Sequence, residues 1–196
     1  MKNQNLSKLL LALLGLLLQF NLLAQTSLAL HVKTAGTLPT LIIASQKYEI
    51  TDLTLTGDLN GTDIKFIREM AGMDSIGQST NGNLSVLDLS GANIVSGGDY
   101  YDSSYYTQND SISAYMFSSC HLTNIILPNT VTSIEWCAFL SCSSLTSVII
   151  PNNVTKIGSY AFSYCSSLTS ITIPNSITEI GSYAFSYCTN LTSITI

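Results

Sequence analysis

The chain has 196 residues, and its 7 basic and 12 acidic side chains leave a formal charge of −5. That balance argues against nucleic acid or an anionic membrane surface as a partner. Its five cysteines, an odd number, exclude a fully paired disulfide framework.

In chain order, Lys2 and Lys8 precede the apolar run Leu9–Leu18, and Leu22-Leu-Ala24-Gln25 places a small residue before a cut. Residues 1–24 therefore read as a signal peptide whose core is too short to span a membrane. The mature chain is expected to begin near Gln25, to be exported and to carry no membrane span. Without Lys2 and Lys8 its formal charge is −7. No cysteine precedes Cys120, which speaks against a lipid-modified N-terminus.

Residues 25–111 read as an N-terminal cap of atypical leucine-rich coils. Leu41-Ile-Ile43 is an apolar strand-like run, and Tyr48–Leu55 alternates toward Gly57. A helix follows, capped by Thr62 or Asp63, with Ile64, Ile67, Met70 and Ala71 as its apolar stripe. Asp63, Lys65, Arg68 and Glu69 read as its solvated face, with Lys65 and Glu69 paired four residues apart. Leu84-Ser-Val-Leu87-Asp-Leu89-Ser-Gly-Ala-Asn93-Ile94 resembles the common L-x-x-L-x-L-x-x-N strand and turn. Leu53 and Leu55 sit in a similar frame 34 residues earlier, so the coils are expected to start there.

The stretch Gly97–Asp110 is rich in glycine and polar residues and reads as a loop. Tyr100, Tyr101, Tyr105 and Tyr106 are candidate contact residues on it. Asp99, Asp102 and Asp110 lack the spacing of a calcium loop, so no metal is expected.

From residue 112 the chain repeats itself. Leu145-Thr-Ser-Val-Ile-Ile-Pro151 returns as Leu168-Thr-Ser-Ile-Thr-Ile-Pro174 and begins again at Leu191. Between them, Ile157-Gly-Ser-Tyr-Ala-Phe-Ser-Tyr-Cys165 returns as Ile180–Cys188, and Pro128, Pro151 and Pro174 set a period of 23 residues. Within a repeat, alternation puts Ile171 and Ile173 on one face of a short strand that Pro174 ends. Ala184, Phe185 and Cys188 follow at helical offsets, predicting a short helical or 3₁₀ return. One coil has no interior of its own. Stacked coils bury a shared one and make their strands a parallel sheet.

The pattern Ile-Gly-x-x-Ala-Phe-x-x-Cys-x-x-Leu-x-x-Ile-x-Ile-Pro resembles the leucine-rich repeat of BspA-like bacterial surface proteins and runs through residues 112–196. Residues 25–111 are similar, more loosely, to the segment that often precedes such repeats. The resemblance implies an α/β leucine-rich-repeat solenoid of parallel strands and short returns, behind an irregular cap. It also implies a non-enzymatic arc that binds proteins at a cell surface.

Cys120, Cys142, Cys165 and Cys188 share one repeat position, which predicts a ladder of buried thiols. Cys137 falls outside that position and is expected to be the reactive one. With no C-x₂-C pair and with His31 and His121 isolated, neither a zinc site nor a Cys–His nucleophile is expected. No phosphate loop, hydrolase elbow or metalloprotease motif occurs, so no catalytic residue and no cofactor is assigned.

What remains is the surface the repeats create. Asn124, Ser147, Ser170 and Ser193 form one outward row on the strands, and Ile126, Ile149, Thr172 and Thr195 the next. Those eight residues are the candidate contact for a protein partner, such as a host extracellular-matrix or cell-surface protein. Tyr160, Tyr164, Tyr183 and Tyr187 make two short rows on the opposite side, which suit a glycan instead. A third reading is a structural remnant without a ligand, since the sequence stops at Ile196 inside a strand. Cell-surface display, release and retention in a periplasm all fit an exported chain.

Overall fold

A computed structural model describes residues 26–196, so the signal peptide assigned to residues 1–24 lies outside the described residues. Strand β1 (Thr26–Val32) leads through helix α1 (Leu38–Leu41) to β2 (Ile50–Leu59), and helix α2 (Gly61–Met70) leads on to β3 (Val86–Ile94). A hairpin follows, β4 (Gly97–Asp102) with β5 (Tyr105–Thr107). Two short strands then arise from each coil: β6 (Ser111–Ile112), β7 (Asn124–Ile126), β8 (Ser133–Ile134), β9 (Ser147–Ile149), β10 (Lys156–Ile157), β11 (Ser170–Thr172), β12 (Glu179–Ile180) and β13 (Ser193–Thr195).

These strands form the two walls of a solenoid. One wall is the parallel sheet β1-β2-β3-β7-β9, continued by the separate pair β11-β13. Register stacks Leu28, Leu53, Leu87, Ile125 and Val148 in one column across the first five strands. The other wall is the parallel sheet β6-β8-β10-β12, which stacks Ile112, Ile134, Ile157 and Ile180. Between the walls runs a spine of phenylalanines: Phe117, Phe139, Phe162 and Phe185 stack with centroids 5.5, 5.0 and 5.5 Å apart. The first three are fully buried, and Phe185 is half-buried at the last coil.

The α/β solenoid is as expected, but its returns are not helical. In the third coil, Ala161, Ser163 and Cys165 donate their N–H three residues back, at 3.1–3.3 Å. The intervening Tyr160, Phe162 and Tyr164 donate forward to Ser182, Ala184 and Ser186 of the next coil, at 2.8–3.0 Å. A helix would turn its donors beyond the first turn back along its own axis, away from the next coil. The alternation requires left-handed backbone at Tyr160 (φ 57°) and Tyr164 (φ 62°), and Tyr115, Ser119, Cys137, Ser141, Tyr183 and Tyr187 repeat it. Such a conformation costs a non-glycine residue about 1–2 kcal/mol, which the inter-coil bonds offset. Glycine is needed where coils touch: a Cβ on Gly181 would lie 2.4 Å from the Ser159 nitrogen, and one on Gly158 would lie 2.7 Å from the Trp136 nitrogen.

The cap departs from expectation at five places. Leu41–Ile43 is no strand; α1 ends there, and Leu41 and Ile43 are exposed. Asn60, not Thr62 or Asp63, caps α2, its Oδ1 accepting from Thr62 N at 3.0 Å. Asp63 and Arg68 do not belong to a solvated face, because both are buried. Asp63 accepts N–H bonds from Gly36, Leu38 and Asn60, tying α1 to α2. Glu69 pairs with Lys47 rather than Lys65, whose ammonium lies 5.3 Å from the Tyr100 ring centroid. The coils also begin earlier than Leu53, because β1 already pairs with β2 along its whole length.

Candidate interaction surface

A wall strand of three residues turns its middle side chain inward and its two flanking ones outward. Ile125, Val148 and Ile171 accordingly face the core. Asn124, Ile149, Ser170 and Thr172 are exposed, and Ile126 and Ser147 are half-buried. Ser193 and Thr195 are exposed on β13, and so is Ile194 between them. Register pairs Asn124 with Ser147, Ile126 with Ile149, Ser170 with Ser193 and Thr172 with Thr195.

The eight residues share one side of the solenoid but not one sheet. No ladder joins β9 to β11, and a cleft of about 260 Å³ lies there, lined by Ser147, Val148, Ile149, Ile150, Ser170, Ile171 and Thr172. Ile149, 55% exposed, stands on its rim and also borders a second hollow with Asn129, Pro151, Asn152 and Asn153. Spacing alone does not reveal this break, because the repeats on either side of it are nearly identical.

Toward the cap the same face extends further than the repeats. The Asn124–Ser147 row continues through Val86 and Asp52 to Ser27, and the Ile126–Ile149 row continues through Asp88 and Thr54 to Ala29. The alternation in Thr51–Leu55 and in Val86–Leu89 carried that signal, masked by the different loop lengths around it. Asp52 and Asp88 give the cap half of the face a negative charge that the repeats lack.

Gly97–Asp110 is a hairpin rather than a loop, and it does not present four tyrosines. Tyr100 and Tyr106 are exposed and touch edge to face at 6.4 Å. Tyr101 is fully buried, its hydroxyl donating to the Ala114 carbonyl at 2.6 Å, and burial pushes its phenol pKa well up. Tyr105 is half-buried against Tyr115, at 5.0 Å. The hairpin thus keeps two of the four candidate contacts outward and uses the other two to close the first coil.

The thiol ladder is present and has a bonding role. Cys142, Cys165 and Cys188 donate Sγ–H to the carbonyls of Phe117, Phe139 and Phe162 in the coil before, at 2.9, 3.2 and 3.0 Å. All five cysteines are free. Burial raises Cys120 and Cys188 to about 11 and holds Cys142 well above the usual thiol range. Cys137 is not the exposed thiol: it is buried beside Tyr115, whose phenol burial and the Cys137 hydrogen bond push up to about 12. The half-buried Cys188 is the most accessible of the five. Among the described residues no cluster of histidine, cysteine, aspartate and glutamate could hold a metal ion.

Parallel strands at a 23-residue period, walled on both sides of a phenylalanine spine, define a leucine-rich repeat solenoid. Residues 110–196, less than half of the chain, match the family model for a BspA type leucine rich repeat region (6 copies). No curated protein matches the chain. Among solved structures it is similar to a leucine-rich repeat protein from Bacteroides ovatus, at 26% identity over 58% of this chain with a TM-score of 0.45. The chain spans 26% of that protein's length. A leucine-rich repeat protein of T. pallidum is 21% identical over 86% of this chain and 58% of its own, with a TM-score of 0.43. A leucine rich cell surface protein from Faecalibacterium prausnitzii is 30% identical over 53% of this chain and 33% of its own, with a TM-score of 0.36. Repeat-mediated protein interaction is the role that the family match suggests, and proteins of this kind are generally not enzymes.

Proposed function

We propose that this chain is an exported, non-enzymatic module that binds a protein partner through the outward face of its first wall, at the cell surface or outside the cell. One observation carries the reading: two outward rows, Ser27 to Ser147 and Ala29 to Ile149, cross five hydrogen-bonded strands, and the second ends at exposed Ile149 beside a cleft. Five strands at about 4.8 Å make a strip roughly 20 Å long. A specific interface needs about 800 Å² on each partner, so this strip suits a modest-affinity contact. Small hydroxyl and aliphatic side chains lose little rotamer freedom on being covered. Export rests on Lys2, Lys8, the Leu9–Leu18 run and Ala24, and no described helix is long and apolar enough to cross a membrane.

The test is surface plasmon resonance of the full chain against purified host extracellular-matrix and cell-surface proteins. Ser147→Glu with Ile149→Lys should abolish any specific signal and leave the melting curve unchanged, because both positions point away from the core. An unchanged signal in that variant rules out this face. Intact mass of the exported protein checks the leader, which should end near Ala24.

A further inference from the structure

The returns carry a second surface that the strand face does not explain. Tyr160 stacks on Tyr183 with centroids 5.1 Å apart, and Tyr164 stacks on Tyr187 at 4.4 Å. All four are exposed, Tyr183 and Tyr187 by more than 60%. Left-handed backbone at each of these positions repeats the same outward turn in both coils. Exposed Trp136 lies on the return of the coil before. From Ser159 to Thr178, and again after Glu179, the sequence contains no charged residue.

Three features decide what such a surface can hold. The rings lie on one another, so between them their apolar faces are spent, and edges and hydroxyls are left for solvent. A phenol edge offers a hydrogen bond beside a polarised C–H rim, which suits a hydroxylated ligand better than an aliphatic one. The absence of charge within the returns themselves favours a neutral ligand over a charged one. Finally, the surface is periodic: the same two groups recur in two successive coils, along one direction. A folded protein rarely presents identical groups at that step, whereas a polysaccharide does, with sugars spaced much like the coils.

We propose that the ladders Tyr160–Tyr183 and Tyr164–Tyr187 bind a neutral polysaccharide lying along the solenoid axis, its sugars stepping with the coils. The site is separate from the strand face, so either can fail without the other.

The chain supplies its own control for the second ladder. Ser119 and Ser141 occupy the positions of Tyr164 and Tyr187 in the earlier coils, with the same left-handed backbone at φ 58° and 60°. Serine is therefore already accommodated there. The experiment is affinity electrophoresis of the full chain in gels holding hydroxyethyl cellulose, soluble starch or mannan, with polygalacturonate as the charged control. Trp136 is the single tryptophan, and its fluorescence follows the same titrations.

At least one neutral polysaccharide should retard the protein, and polygalacturonate should not. Tyr164→Ser with Tyr187→Ser should weaken retention about tenfold or more, the loss expected when two aromatic contacts go. Ser119→Tyr with Ser141→Tyr extends the ladder to four rings and should tighten it. No retardation in any neutral gel, preference for polygalacturonate, or equal retention by the serine variant each overturns the proposal. So does loss of retention in the strand-face variant Ser147→Glu/Ile149→Lys, which would move the site to the other wall. If the serine variant melts early, the tyrosine extension decides: no gain in retention rejects the ladder.

Discussion

Arg68 Nη2 lies 2.7 Å from Asp102 Oδ2, joining helix α2 to the hairpin across 34 residues of chain. Nη1 of the same guanidinium donates to the carbonyls of Tyr115, Met116 and Ser118 at 2.9–3.4 Å, and Nη2 also reaches the Asp74 carbonyl at 3.4 Å. Asp102 Oδ2 accepts a second bond, from Ser118 Oγ at 3.3 Å. One cation thus holds cap, hairpin and first return turn together, with its Nε left unpartnered among the described residues. Removing its carboxylate strands a buried charge. Asp102→Ala should cost about 3–5 kcal/mol, and adding Arg68→Met should recover part of that. Urea melts of the single and double variants measure it; a loss of only a few tenths for Asp102→Ala would show that the carbonyls alone hold Arg68.

Along the phenylalanine spine, burial sets the cost of truncation. Phe139→Ala and Phe162→Ala should each destabilise by about 3–5 kcal/mol, since both rings are fully buried and stacked on both sides. Phe185→Ala should cost less, because its ring is half-buried and stacked on one side. Tyr164→Ala should cost least. Chemical denaturation of the four variants checks the order.

Thiol reactivity should follow exposure rather than repeat position. Cys188 should react first with a maleimide, while Cys120, Cys137, Cys142 and Cys165 should wait for denaturant, being buried. The raised pKa values of Cys120, Cys142 and Cys188 keep the thiolate fraction low at neutral pH, so even Cys188 should be slow. Mass mapping after timed labelling gives the order, and early labelling at Cys137 would contradict its burial beside Tyr115.

Alkali should destabilise the fold through the same groups. A thiol whose pKa rises on folding holds its proton more tightly in the native state. Its contribution is whole below the unfolded value and is lost as pH climbs through the folded one. For Cys120 and Cys188 that window runs from 9.0 to about 11, and Tyr115 carries it to about 12. Urea midpoints should hold steady below pH 9 and fall above it. A midpoint unchanged up to pH 11 would mean that the buried thiols do not couple to stability.

The repeats were the most legible part of the chain. Ile171 and Ile173 in alternation, a proline stop and a phenylalanine every 22 or 23 residues identify strand, edge and spine from local pattern alone. The strand-face residues follow from the same alternation, which is why all eight lie on one side. The cap was harder to read. Its strands β1, β2 and β3 belong to the same wall, but connections of unlike length hide their common frame.

The sequence by itself determined the solenoid, its period and the identity of the side chains facing in and out, because periodicity is a property of neighbouring residues. Only the tertiary structure decided the roles of Arg68, Asp63 and Tyr101, which look solvated or exposed until their partners arrive. Arg68 finds three of its four carbonyl acceptors 47 to 50 residues away. Left-handed tyrosines in place of a helical return, and the break between β9 and β11, were likewise settled between coils. In each case the deciding contact is a hydrogen bond made, or not made, to a different turn of the solenoid. No window of local sequence contains both of its ends.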